Sequence, residues 1–332
     1  MSESLLLAQN SHMQAFTGEL LLTTLKMNTT INIFSPEAAL NNKILAHLSV
    51  LGANIIYGLN YVIAKGIMPD YLSPRAIIFL RGVGALFAFW MVHILFIKEK
   101  IEKKDHFKLA FCAVFGIVIN QIMFFEGLNK TTEINTSIIM TISPILVMFF
   151  SYFILKEKVT LLRILGIMFG AAGTVYLILG KGEISFSSDT FTGNIFILIN
   201  SASFAFYLVI VKPLMNKYKP VTIMMWVFFY GFLGVLPFTT HEIINSDLSA
   251  IPFNIWMSIV YVIVGATVLG YLLYTIALQK ISPTIVSFYL YLQPLIASMM
   301  VIMMGRGTLT STEVIAALLI FSGVFMVSYR KG

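Results

Sequence analysis

LNKTTEINTSIIMTISPILVMFFSYFILKEKVTLLRILGIMFGAAG, residues 128–173, decides the fold, because a worn copy of it stands at 278–323. The copy keeps Leu128 as Leu278, Lys130 as Lys280, Ser137 as Ser287, Pro144 as Pro294, Thr160 as Thr310 and Gly173 as Gly323. Six identities in 46 positions carry little by themselves. Both copies, however, read alike: a polar connection, an apolar stretch with a proline midway, a charged or glycine-rich turn, and a second apolar stretch. An internal duplication of this kind marks membrane proteins built from structural repeats.

Composition fixes the solvent. With 58% hydrophobic residues, 11% charged residues and a mean hydropathy of +0.88, the chain lacks the charge to cover a soluble protein of 332 residues. The formal charge of +7 sits in short loops between apolar stretches rather than along one face, which argues for membrane orientation and against nucleic acid as a partner. The single cysteine, Cys112, lies inside an apolar run, so no intrachain disulfide and no metal-ligand cluster is expected.

Residues 1–42 have only short apolar runs and lack the layout of a signal peptide, so they read as a mobile cytoplasmic leader. An interfacial helix, or a start at Met27, are the alternatives. From Ile44 onward ten apolar segments are long enough to cross about 30 Å of hydrocarbon as helices. They run over 44–66, 75–97, 107–127, 135–155, 161–180, 193–213, 222–240, 254–278, 284–304 and 312–329. Continuous apolar stretches of this length exclude a β-barrel.

The loops set the orientation. Lys98, Lys100, Lys103, Lys104, Lys108, Lys156, Lys158, Arg163, Lys217, Lys219 and Lys280 follow even-numbered spans, and Arg330 and Lys331 end the chain. Arg75, Lys130, Lys181 and Arg306 fall on the other side. Both termini are therefore expected in the cytoplasm. Five spans per half is an odd number, so the halves, 43–180 and 181–332, must lie upside down relative to each other. The expected fold is an all-α membrane protein of ten transmembrane helices in two inverted five-helix repeats. YGLNYVIAK at 57–65 aligns with FAFYLVIVK at 204–212 and supports the pairing, matching Lys65 to Lys212.

YGLNYVIAK, then LSPRAIIFLR with Pro74 and Arg81, then GIVINQIMFFEGLNKTT, then TISPILVMFFSYFILKEKVTLLRILGIMFGAAG, resemble the EamA-type repeat of the drug/metabolite transporter superfamily over residues 44–329. The resemblance implies ten helices with both termini inside, in a cell (inner) membrane, and export or exchange of a small metabolite such as an amino acid by alternating access. An organellar-type nucleotide-sugar or organic-anion exchanger, and an uncoupled facilitator or channel, are the alternatives. The family's acidic residue after the fourth span is present as Glu157, but its counterpart in the second copy is Gly307. The family's small residue at the end of the third span is replaced by Glu126.

Polar side chains within apolar spans mark either helix contacts or a water-filled path. Several share helical faces: Asn54, Gly58, Tyr61 and Lys65; Ser137 and Thr141; Asn200, Ser203 and Tyr207; Thr267, Tyr271, Tyr274 and Thr275; Tyr289 and Gln293. The candidate substrate-binding set drawn from these faces and the quoted runs is Asn60, Lys65, Arg81, Asn120, Gln121, Glu126, Thr141, Tyr207, Tyr271, Tyr274, Tyr289 and Gln293. Against it stands the reading that hydroxyls bond their own backbone and tyrosines anchor at the interface. Lys65, Arg81 and Glu126 all lie toward the outer leaflet. Together they suit an anionic or carboxylate-bearing substrate, Glu126 pairing with the cations or reading an amine; the alternative is that the cations snorkel to headgroups. Lys212 reads as a snorkelling residue. Pro144 and Pro294 are hinge candidates, since each removes a backbone donor at an equivalent place. Gly166 and Gly170 read as a close helix contact that Ala316 and Ile320 do not repeat.

No catalytic constellation is present: His47 and His93 are isolated, and no phosphate-binding glycine loop exists. The chain is therefore expected not to be an enzyme and to need no cofactor. Its partners are a small-molecule substrate and the lipid bilayer, with a coupling proton as a candidate; the oligomeric state stays open.

Overall fold

A computed structural model of the protein describes residues 36–179, 188–303 and 311–328. From Leu48 onward the chain is one compact unit; of the preceding unit, Met1–His47, only the start of the first helix is described. Of the proposed leader 1–42, residues 1–35 lie outside the described residues and 36–42 belong to the first helix; Lys181, Arg306, Gly307, Thr310, Arg330 and Lys331 also lie outside the described residues.

Every regular element among the described residues is helical. Helix α1 spans Pro36–Lys65, α2 Pro74–Ile97 and α3 Lys103–Lys130. The fourth apolar segment divides into α4, Glu133–Met140, and α5, Ser143–Leu155. Then come α6 (Leu161–Leu179), α7 (Ser188–Ile210), α8 (Pro220–Ile244) and α9 (Phe253–Lys280). The ninth segment divides into α10, Pro283–Phe288, and α11, Leu292–Met303; α12 spans Ser311–Ser328.

Starts are written locally. Ser73 accepts a hydrogen bond from the Ala76 amide ahead of Pro74, Thr132 from that of Asn135, and Ser282 from that of Ile285 ahead of Pro283. These are side-chain N-caps, two with proline in the first turn, where its missing N–H is no loss.

Among the described residues, eight helices are long and apolar enough to cross a bilayer. Large apolar side chains, Phe87, Phe96, Phe153, Phe238 and Leu318 among them, stand exposed on their outer faces. Water would not tolerate so broad an apolar surface; lipid does. The protein is thus a multi-pass membrane protein. The expected count of ten is met as eight, because the ninth segment is broken by a 3₁₀ turn at Tyr289–Tyr291 and the apolar window of α12 is only Val314–Ser328.

The breaks sit at repeat-related places. Thr141 and Ile142 interrupt α4 and α5 just before Pro144, and Tyr289–Tyr291 interrupts α10 and α11 just before Pro294. A proline cannot donate to the preceding turn, so carbonyls there need other partners. The Tyr291 hydroxyl donates to the Thr141 carbonyl (3.0 Å), and the Thr174 hydroxyl donates to the Tyr291 carbonyl (3.4 Å). Each break is thus satisfied across the bundle.

Two further devices recur between the halves, the first at the same offset and the second with its lysines 147 residues apart. π-helical turns at Val114–Ile119 in α3 and Tyr261–Leu269 in α9 end just before Asn120 and Gly270, which stand 150 residues apart. Lys65 donates to the carbonyl of Leu128 at the C-terminal end of α3 (3.0 Å), while Lys212 donates to Leu278, Gln279 and Ile281 at that of α9. Neither lysine needs a headgroup: a cation at a helix C-terminus meets unpaired carbonyls and the negative end of the helix dipole. The snorkelling role expected for Lys212 is corrected on this ground.

Helices α6 and α12 approach most closely. A Cβ on Gly323 would lie 2.5 Å from the Gly166 carbonyl oxygen, and one on Gly173 3.0 Å from that of Ala316. Gly170 instead faces Tyr291 and Phe288 of the broken segment. The glycines of the fifth segment thus make the close contact expected of them, and the tenth supplies its partner through Gly323 rather than by a copy of the motif.

Candidate functional site

The breaks and π turns converge on a central cavity of about 90 Å³. Helices α1 and α2 supply Tyr57, Asn60 and Arg81, and α3, just past its π turn, supplies Asn120, Gln121, Phe124 and Phe125. Met140 and Ser143 flank the first break; Leu290 and Gln293, exactly 150 residues later in register, flank or follow the second. Asn200, Ser201 and Phe204 of α7 and Tyr271 of α9 close the ring.

Clips between helices hold these side chains. Asn200 donates its amide to the Asn120 carbonyl (2.8 Å), Ser203 its hydroxyl to the Phe115 carbonyl (2.7 Å), both across α3 and α7. These acceptors lie in and just past the π turn of α3, where the regular ladder is disturbed. Gln293 donates to Asn54 (2.8 Å), which donates to the Val50 carbonyl (2.7 Å), joining α11 to α1. The Tyr271 hydroxyl lies 3.4 Å from Asn120 Oδ1.

Below the cavity, rings form a layer. Tyr57 meets Tyr271 edge-on (6.3 Å) and Tyr274 (5.9 Å), and Phe204 meets Tyr274 (5.9 Å). Beyond this layer a cleft of only about 10 Å³, lined by Tyr207, Thr275, Met215 and Leu278 among others, leads toward the C-terminal end of α9.

Of the expected site residues, Asn60, Arg81, Asn120, Gln121, Tyr271 and Gln293 line the cavity. Tyr207 and Tyr274 line the smaller cleft. Thr141 bonds the Ile138 carbonyl (2.6 Å) and faces a groove between α4 and α7 with Ile138 and Asn194. Tyr289 is buried in the 3₁₀ turn and is not among the cavity's lining. The side chains of Tyr61 and Ser137 lie outside the described residues.

The trio of Lys65, Arg81 and Glu126 does not assemble. Lys65 is engaged by the Leu128 carbonyl, and Glu126 pairs with Arg75 at 2.6 Å, with side-chain exposures of 15% and 45%. Arg75 was read only as a loop charge, yet it is the cation that meets Glu126 near the end of α3. Arg81 does not snorkel: it is 5% exposed, with its guanidinium 4.9 Å from the centre of the Phe125 ring. Helical spacing placed all three near one leaflet but not on one face.

Tyr57, Ser143, Ser201 and the apolar lining were missed. Ser143 had a usable signal, since it matches Gln293 at the repeat offset, and Tyr57 stands one turn before Asn60. Among the described residues no group of His, Cys, Asp or Glu side chains is placed to hold a metal ion.

On the side where α2 ends, the connection at 98–102 is tied to the one after α7. Lys217 pairs with Asp105 (2.5 Å) and Glu102 (2.6 Å), and the Tyr218 hydroxyl bonds Asp105 (2.9 Å). Hydrogen bonds donated to Asp105 and then to Glu102 hold the Lys217 ammonium above its ordinary range, and those accepted from Lys217 and then Lys104 hold the Glu102 carboxyl below its own.

A helical bundle in lipid with a polar cavity between broken helices is the architecture of a membrane carrier rather than of an enzyme. The chain belongs to the EamA-like transporter family, whose domain it carries twice, at residues 44–179 and 191–329. It is similar to the uncharacterized transporter YyaM of Bacillus subtilis (26% identical, over 85% of this chain and 93% of that one). It also resembles YetK of the same organism (24%, 86% and 87%) and the uncharacterized inner membrane transporter YicL of Salmonella typhimurium (23%, 85% and 94%). A solved crystal structure matches its fold with a TM-score of 0.69 at 15% identity, covering 86% of this chain and 98% of that one.

Proposed function

We propose that the protein is a secondary transporter that moves a small metabolite, such as an amino acid, through the central cavity by alternating access. In this reading it has ten spans in two inverted five-helix repeats, 43–180 and 181–332, with both termini in the cytoplasm of an inner or plasma membrane. Export is the direction that the family resemblance implies. The observation that carries the reading is the pair of helix breaks at repeat-related positions, both contributing side chains to one polar cavity. Discontinuous helices at a repeat interface are where carriers place substrate, and each break is a point of bending. The π turns and lysine clasps that recur at matching offsets support the repeat. Pro144 and Pro294 act as hinges that let either side of the bundle open.

The test is counterflow in proteoliposomes. Vesicles holding the protein and an unlabelled amino acid should accumulate the labelled one faster than protein-free vesicles, and Pro144→Ala or Pro294→Ala should change turnover more than half-saturation. Uptake no faster than in protein-free vesicles across a panel of amino acids and small organic acids refutes transport. Adding a proton gradient separates a coupled carrier from a facilitator.

A further inference from the structure

Arg81 is the one charged side chain in the lining of the cavity, and its charge is uncompensated. It makes no hydrogen bond or ion pair with any described residue; its Nε is buried without a partner, its guanidinium lies over the face of Phe125, and the Tyr57 and Tyr271 rings line the same space. A guanidinium carries five donors, and a buried cation without a counter-charge is strongly disfavoured. The neighbouring groups are orphaned as well: Asn60 Oδ1 lacks a donor, and the Ser143 and Ser201 hydroxyls lack any partner. All of them line the same space. Native interiors rarely leave so many buried polar atoms unpaired in one place unless something else occupies it.

We infer that the cavity binds a small organic carboxylate bearing a hydrogen-bond donor, a hydroxy acid or an amino acid, with Arg81 as its counter-ion and Asn60, Ser143 and Ser201 as its polar contacts. This rests on reading the cavity as the substrate site. A planar carboxylate accepts two parallel bonds from a guanidinium, which a neutral or cationic ligand cannot offer. The Asn60 amide oxygen asks for an N–H or O–H on the same ligand. No described acidic side chain lines the cavity, so an organic cation has no counter-charge there, and an amino acid's ammonium would rest on neutral oxygens and ring faces. The size excludes a nucleotide sugar.

The test uses the full chain in nanodiscs of zwitterionic lipid, with HEPES as the only bulk anion. Thermal unfolding is followed while lactate, L-serine, glycerol, ethanolamine and chloride are each titrated. Lactate and L-serine should raise the midpoint by about 2 °C or more at saturating concentration, and glycerol and ethanolamine should not. Arg81→Gln should abolish the shift, and without ligand it should unfold no lower than the wild type, because it removes an uncompensated charge. Arg81→Lys should keep a weakened shift, and it carries the test if Arg81→Gln does not fold. Shifts by glycerol or ethanolamine equal to that by lactate, an undiminished lactate shift in the Arg81 variants, a full shift with chloride alone, or no shift with any carboxylate overturns the inference. Arg81-dependent shifts without counterflow of lactate or serine would leave the site standing and remove transport. Counterflow that survives Arg81→Gln would do the reverse.

Discussion

Replacing Lys212 by Met keeps most of the apolar stem and removes only the ammonium, so it asks what that charge does. Three carbonyls at the end of α9 lose their donor, those of Leu278, Gln279 and Ile281. Bonds to a charged donor contribute about 1.5–3 kcal/mol each when fully formed. The side chain is half-buried, however, and burial pushes its pKa down, with Glu157 opposing. Part of the gain is therefore offset by lost hydration, and the carbonyls regain some water once the lysine is gone. A net cost of about 2 kcal/mol follows, a fall in unfolding midpoint of about 3 °C for a chain of 332 residues. Lys65→Met removes a donor from one carbonyl, that of Leu128, and should cost about half as much. The measurement is thermal unfolding in nanodiscs beside lactate binding by the same shift assay. Lactate should still stabilise both variants. If either lysine variant unfolds like the wild type yet loses the lactate shift, the lysines act on the ligand and the clasp reading is wrong.

Gly323→Ala places a methyl 2.5 Å from the Gly166 carbonyl oxygen, which is backbone and cannot swing aside. It should destabilise by about 1–3 kcal/mol in unfolding assays, whereas Gly52→Ala, whose Cβ would meet only Leu273 at 3.6 Å, should be nearly neutral. Glu126→Gln breaks a pair with a half-exposed Arg75, so unfolding should change by less than about 1 kcal/mol and the lactate shift should survive. The Lys217 cluster sets a pH plateau. Glu102, held below its usual 4.5, adds stability that is complete above that value and lost as pH falls through its folded pKa. Lys217, held above its usual 10.5, adds stability that is complete below that value and lost as pH rises through its folded pKa. Midpoints measured from pH 5 to 10 should therefore show no pH dependence from this cluster, and Lys217→Met should reduce the acid-side loss.

Apolar length and the 150-residue repeat were enough to read a helical, multi-pass membrane protein that carries the EamA-type domain twice, because helix length and hydropathy are properties of single segments. The same offset pointed to Pro144 and Pro294. It did not show that the chain breaks there into separate helices, since a proline in a span is compatible with a mere bend. Six of the twelve expected site residues reach the cavity because polar side chains are costly against lipid and collect in the bundle interior.

Within one helix the sequence fixes which residues share a face, and that was enough to bring Asn60, Asn120 and Tyr271 into consideration. Which helix each face meets depends on packing between segments far apart in the chain. That packing gave Glu126 to Arg75, Lys65 to the end of α3, and Gly166 to Gly323. It also left Arg81 over Phe125 without an acidic partner among the described residues, which no local pattern could reveal because it is defined by what the neighbouring helices fail to supply.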